Sequence, residues 1–127
     1  MINWSHYPNF TRDEFECQCG CGEAEMSAVF IGKLQQTRTG YGKPMPITSG
    51  YRCPDHNANV SSTGRDGPHT TGRAVDIAVS HADAKRLLSF GLIYFSGIGV
   101  KQKGSGRFLH FDDLEAPAFP RPNVWSY

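Results

Sequence analysis

The chain has 127 residues, a formal charge of +1 and a charged fraction of 20%. That length supports one domain with its own hydrophobic core, spanning residues 1–127, and a charge so near zero leaves no basic face sized for nucleic acid and no acidic tail. No apolar run approaches the roughly 20 residues that cross a bilayer, so neither nucleic acid nor membrane is an expected partner.

The N-terminus, Met1-Ile2-Asn3-Trp4-Ser5-His6, lacks the basic then apolar pattern of a signal peptide, which predicts synthesis in the cytoplasm. Residues 1–22 read as an N-terminal arm. Within it Thr11 and Glu14 have capping-box spacing, which predicts a short helical turn pinned to the core by Phe10 and Phe15. The arm ends in Cys17-Gln18-Cys19-Gly20-Cys21-Gly22, and the only other cysteine is Cys53. A structural zinc, disulfides and free thiols in a glycine-rich turn all stay open. The one-residue spacing differs from that of ordinary zinc knuckles and crowds a single ion, so a structural zinc at Cys17, Cys19, Cys21 and Cys53 is allowed but not favoured. Either cross-link would tether the arm beside Arg52.

From Ser27 to about Thr39 the pattern predicts an amphipathic helix, with Met26, Val29, Phe30 and Leu34 inward, Lys33, Gln36 and Arg38 outward, and Gly40 and Gly42 ending it. Pro46 to Ser49 is a short strand. It leads into Gly50-Tyr51-Arg52-Cys53-Pro54, where the turn residues and the proline hold Arg52 on a stiff loop. His56 and Asn57 follow on a short helix, and Val60 to Pro68 is a turn-rich loop able to fold over a site.

The segment Pro68 to Val79 is the most informative. Period-two alternation places Val75, Ile77 and Val79 on a core face and Ala74, Asp76 and Ala78 on the other, with His69 in the loop leading in. Ser80 with Asp83 then has the spacing to cap a helix from Ala82 to Phe90, with Leu87, Leu88 and Phe90 inward, His81 exposed and Gly91 closing it. Ile93–Val100 and Arg107–Asp112 read as strands joined by a solvated loop. In the second, Phe108, His110 and Asp112 share one face and Leu109 and Phe111 the other. A buried imidazole in so apolar a strand needs a partner, and zinc bound by two His and one carboxylate, with the fourth position left to water, supplies one. The ligand set is His69, Asp76 and His110. Residues 117–127 are too proline-rich for a helix and should lie extended, anchored by Trp125; no spacing argument places Arg121 at the site. The fold class is α+β: a small antiparallel sheet flanked by helices.

Four separated motifs occur in order: Ser49-Gly50-Tyr51-Arg52-Cys53-Pro54, His69-x-x-Gly72-x-Ala74-x-Asp76, Gly97-Ile98-Gly99-Val100 and Phe108-Leu109-His110-Phe111-Asp112. Together they resemble the M15 family of zinc D-Ala-D-Ala carboxypeptidases and peptidoglycan endopeptidases, closest to its short bacterial and phage members. The resemblance spans about Phe10 to Trp125. It implies hydrolysis of an amide bond in peptidoglycan stem peptides, either D-Ala-D-Ala or an internal bond such as L-Ala-D-Glu. The partner is then the stem peptide, met after delivery to the wall, as by a phage lysis system; the chain itself is expected to be a monomer. The resemblance also assigns Arg52 to the substrate carboxylate or the oxyanion, a task suited to a planar and permanently charged group.

Many family members carry the catalytic carboxylate three residues before the last His, where this chain has Arg107. Asp112 is the best replacement, since it shares a strand face with His110 at roughly 7 Å between Cβ atoms, within reach through one water. Asp113 and Glu115 are the runners-up, and for Asp112 the competing role is to orient a neighbour or pair with an arginine. Two other classes stay open: a wall-binding or particle module that keeps the metal without turnover, and a redox or metal-sensing domain built on the cysteines.

Overall fold

A computed structural model describes the whole chain, Met1–Tyr127. In chain order its main elements are α1 (Ala28–Tyr41), β1 (Ile47–Ser49), α2 (Pro54–Val60), β2 (Ala74–Ala78), α3 (His81–Tyr94), β3 (Gly97–Lys101), β4 (Phe108–Asp112) and β5 (Asn123–Ser126), with short 3-10 turns between them. No helix is long and apolar enough to cross a membrane.

The expected alternation builds the centre of the sheet. Val75 and Ile77 of β2 and Leu109 and Phe111 of β4 are fully buried in the hydrophobic core, while Asp76 and His110 stand opposite each other in the antiparallel β2–β4 register. The strand order is β1-β2-β4-β3-β5. The first four strands pair antiparallel, but β5 joins β3 in parallel, so the sheet is mixed rather than antiparallel throughout. The reason lies in the tail: Pro117, Pro120 and Pro122 exclude a helix, yet Asn123 to Ser126 keep their N–H groups and complete an edge.

Helix α1 starts at the Ser27 cap, whose Oγ accepts from the Phe30 N–H at 3.3 Å, and stops at Gly42 with φ +79°. Its buried stripe runs through Phe30, Ile31 and Leu34, leaving Val29, expected inward, 69% exposed. Helix α3 also departs from expectation. Ser80 makes no side-chain cap, the Asp83 side chain pairs with Lys43 at 2.8 Å, and the helix continues past Gly91 to Tyr94. Gly91 is buried against Phe111, where a Cβ would collide with the ring. Here glycine permits close packing and does not end the helix, so Ile93 and Tyr94 are helical and β3 begins only at Gly97. In the arm, the Thr11 N–H donates to Glu14 Oε2 at 2.7 Å, and Phe10 and Phe15 are buried as expected.

Candidate metal centre

Sheet register sets two of the three donors and a turn supplies the third. Asp76 and His110 face each other across β2 and β4, and His69 lies in the 3-10 turn Pro68–Thr71 just before β2. Asp76 Oδ1 is 3.0 Å from His110 Nδ1 and 3.4 Å from His69 Nε2. One donor atom from each residue falls within 4.8 Å of the others, and all three residues are buried.

Hydrogen bonds on the far side of each ring fix which nitrogen points inward. His69 Nδ1 is 2.9 Å from the Gly50 carbonyl, which can only accept, so Nδ1 carries the hydrogen and Nε2 offers its lone pair. His110 Nε2 donates to Asp112 Oδ2 at 2.7 Å, turning Nδ1 toward Asp76. Burial alone would hold His110 neutral, but Asp112 and Asp76 outweigh it and raise its pKa. Burial would likewise raise the Asp76 carboxyl, yet the His110 and His69 rings beside it hold it well below the usual carboxylate range. Two imidazole nitrogens and one carboxylate, with both rings oriented by outer hydrogen bonds, form the donor set and the support that a catalytic zinc requires.

Beside these donors lies a cavity of about 590 Å³ whose lining includes Arg52, Asp66, Phe108, Arg121, Trp125 and Tyr127. Arg52 is held where the stiff loop promised: Nε donates to Ser49 Oγ and Nη1 to Asn57 Oδ1, both at 3.1 Å, and Nη2 lies 3.8 Å from Asp76 Oδ2. Asn57 is fully buried and also donates to Thr63 Oγ1 and the Gly64 carbonyl. It thereby couples Arg52 to the 60–68 loop, which forms one wall of the cavity as anticipated.

Asp112 sits differently from a residue facing solvent. It is fully buried, and Arg121 grips both its oxygens, Nε to Oδ1 at 2.8 Å and Nη2 to Oδ2 at 2.7 Å, while Oδ2 also accepts from His110. Burial would raise this carboxyl, but Arg121 and His110 bring it down to about 2. Gly97, opposite Asp112 in the register, makes room for the pair; a Cβ there would collide with both side chains. Arg121 is in turn stacked over Trp125, its guanidinium carbon 4.8 Å from the ring centroid, and the Trp125 ring lies 5.1 Å from that of His110.

Asp113 and Glu115 lie away from this cavity, Asp113 in ion pairs with Lys33 and Arg73 and Glu115 exposed beside Arg73. Arg107 donates to the Gly104 carbonyl and lines a separate surface depression with His81. His56 is likewise absent from the cavity wall. Sequence reasoning did not assign Asn57, Asp66 or Arg121 to the site. For Arg121 the only signal is the competing role of Asp112 as partner of an arginine, with nothing in the spacing to say which one; Asn57 and Asp66 lie in irregular or short segments where spacing is silent.

No curated protein matches the chain. A family model described as Peptidase M15 does match, over residues 8–112, a stretch that contains Arg52, His69, Asp76, His110 and Asp112. The chain therefore belongs to the M15 peptidases, a family of zinc metallopeptidases.

Proposed function

We propose that this protein is a zinc peptidase that hydrolyses an amide bond in peptidoglycan stem peptides. The observation that carries the reading is the convergence of His69 Nε2, Asp76 Oδ1 and His110 Nδ1 in a cavity that also presents Arg52. Zinc bound by these three would activate a water and polarise the scissile carbonyl.

The chain's own residues supply the rest. Arg52, oriented by Ser49 and Asn57, holds a substrate carboxylate or the oxyanion. A terminal D-Ala-D-Ala would place its free carboxylate there; an internal bond such as L-Ala-D-Glu would use Arg52 for the oxyanion alone. Asp112, its oxygens taken by Arg121 and His110, acts in this reading as a positioning residue that keeps the His110 ring aimed, in place of the proton acceptor its strand position suggested. Besides Asp76, Asp66 is the one carboxylate on the cavity wall, and proton transfer from the attacking water to the leaving amine is assigned to it. The protein acts as a monomer, and an endolysin role accords with this substrate.

A second reading draws on Arg107, which stands at the usual acid position and is turned away from the cavity. A wall-binding module that retains the metal without turnover would have that feature. Digestion of purified peptidoglycan by zinc-loaded and chelated protein, with fragments read by mass spectrometry, separates the two. Zinc-dependent products are expected, and their new ends name the bond; binding to the wall without products would replace the peptidase with the module.

A further inference from the structure

The four cysteines form a second cluster that the peptidase chemistry does not use, and none lines the cavity. Their sulfurs all lie within 4.8 Å of one another. Cys17 Sγ is 3.5 Å from Cys19 Sγ, which is 3.7 Å from Cys53 Sγ. Disulfide sulfurs are about 2.05 Å apart, whereas four thiolates at about 2.3 Å from one tetrahedral ion stand about 3.8 Å apart. The observed separations belong to the second arrangement.

Local backbone explains how so tight a spacing can converge. In an extended chain, side chains two residues apart are roughly 7 Å apart, which would spread Cys17, Cys19 and Cys21 along a line. Here Gly20 and Gly22 adopt φ +88° and +80°, conformations that glycine accepts without strain, and the chain curls back on itself. The Cys17 N–H closes the curl onto the Glu23 carbonyl at 2.7 Å. Backbone donors also point at sulfur, the Cys53 N–H to Cys17 Sγ at 3.3 Å and the His56 N–H to Cys53 Sγ at 3.4 Å. Such donors stabilise thiolates over thiols.

We propose that Cys17, Cys19, Cys21 and Cys53 form a structural tetrathiolate site for one soft divalent ion, zinc foremost, separate from the His69/Asp76/His110 centre. Four thiolate ligands select zinc or iron over hard cations. Binding displaces thiol protons to the solvent and needs no oxidant, unlike the disulfide alternative. The site ties the N-terminal arm to the residue that follows Arg52, reinforcing the Tyr51 N–H bond to the Phe15 carbonyl at 2.9 Å and the Gln18 side-chain bond to the Thr48 carbonyl at 2.6 Å. It therefore holds in place the loop that carries the site arginine.

The test counts ions on the intact protein purified under reducing conditions with zinc. The expected content is two zinc ions per chain in the wild type, one in His69→Ala, and one in Cys19→Ser/Cys21→Ser, which changes only exposed positions. Cobalt loading of the wild type provides a readout that requires no variant: sulfur-to-cobalt charge-transfer bands are expected, persisting in His69→Ala. Wild-type protein with one zinc, no such bands and four thiols open to a thiol reagent would overturn the proposal, as would an intact mass showing disulfides in freshly purified protein. Neither result depends on peptidase activity, so the proposed hydrolysis and the thiolate site stand or fall separately.

Discussion

His69, Asp76 and His110 are held by paired strands and a turn packed against them, whereas Cys17, Cys19, Cys21 and Cys53 are gathered by a glycine curl on an arm. In the first cluster each imidazole is aimed by an outer partner, Gly50 for His69 and Asp112 for His110, and all three donors are buried. In the second, Cys19 and Cys21 are exposed and only backbone N–H groups assist. The sheet cluster is braced by strand pairing on both sides, whereas on the proposed reading the curl draws part of its rigidity from the ion. Chelation should accordingly abolish hydrolysis while leaving the sheet intact, but loosen residues 1–22 and the Arg52 loop, a difference that hydrogen exchange would resolve.

The largest effect expected is from His110→Ala, which removes a donor from the sheet cluster and strands the Asp112–Arg121 pair. Activity on peptidoglycan should fall below detection and the zinc count drop by one, with the cysteine site still loaded. Retained zinc-dependent hydrolysis would show that the centre lies elsewhere. Next comes Arg52→Lys, expected to lower kcat/KM by about 10²-fold to 10³-fold with metal content unchanged, because an ammonium cannot reproduce the fork held by Ser49 and Asn57. A lysine variant close to wild type would reduce Arg52 to a generic charge.

The two carboxylates can be told apart by what each mutation moves. Asp66→Asn is expected to cost about 10²-fold or more in kcat at constant zinc affinity. Asp112→Asn is expected instead to weaken zinc binding about 10-fold to 100-fold, since it loosens the His110 ring, with activity recovered at high zinc. The reverse pattern, full zinc affinity in Asp112→Asn with activity that excess zinc does not restore, would return proton transfer to Asp112.

The parts of this site that a reader of the sequence could find are those set by strand periodicity. Val75 and Ile77 against Asp76, and Leu109 and Phe111 against His110, announce which residues face the core and which face each other, and the register confirms the pairing. Period two also placed Asp112 beside His110, but it said nothing about what occupies the other side of the acid. That partner, Arg121, comes from a tail with no periodicity, and it reaches Asp112 only because β5 pairs in parallel with β3 and Gly97 leaves space. Gly91 misled for a related reason: a glycine at a helix end and a glycine under an aromatic ring look alike in one dimension. The one-residue spacing of Cys17, Cys19 and Cys21 shows how an extended chain would carry them, but not that Gly20 and Gly22 turn it so that the sulfurs converge.

The smallest predicted effect concerns pH and distinguishes the sheet cluster with and without its ion. In chelated protein Asp112 has a folded pKa of about 2, below the unfolded value of about 3.9, so its contribution to stability is complete above roughly pH 4 and is lost as pH falls toward 2. His110 has the opposite sign: its raised folded pKa contributes stability in full below the unfolded value of about 6.5, and that contribution fades as pH rises through the folded pKa. The Tm of chelated protein should thus decline on both sides of a maximum between about pH 4 and 6.5. Zinc reverses the alkaline half, because the His110 nitrogen facing Asp76 must lose its proton to bind the ion, so rising pH strengthens the complex. Zinc-loaded protein should therefore gain Tm over the range where chelated protein loses it. The same alkaline decline in both forms would mean that zinc is not bound through His110.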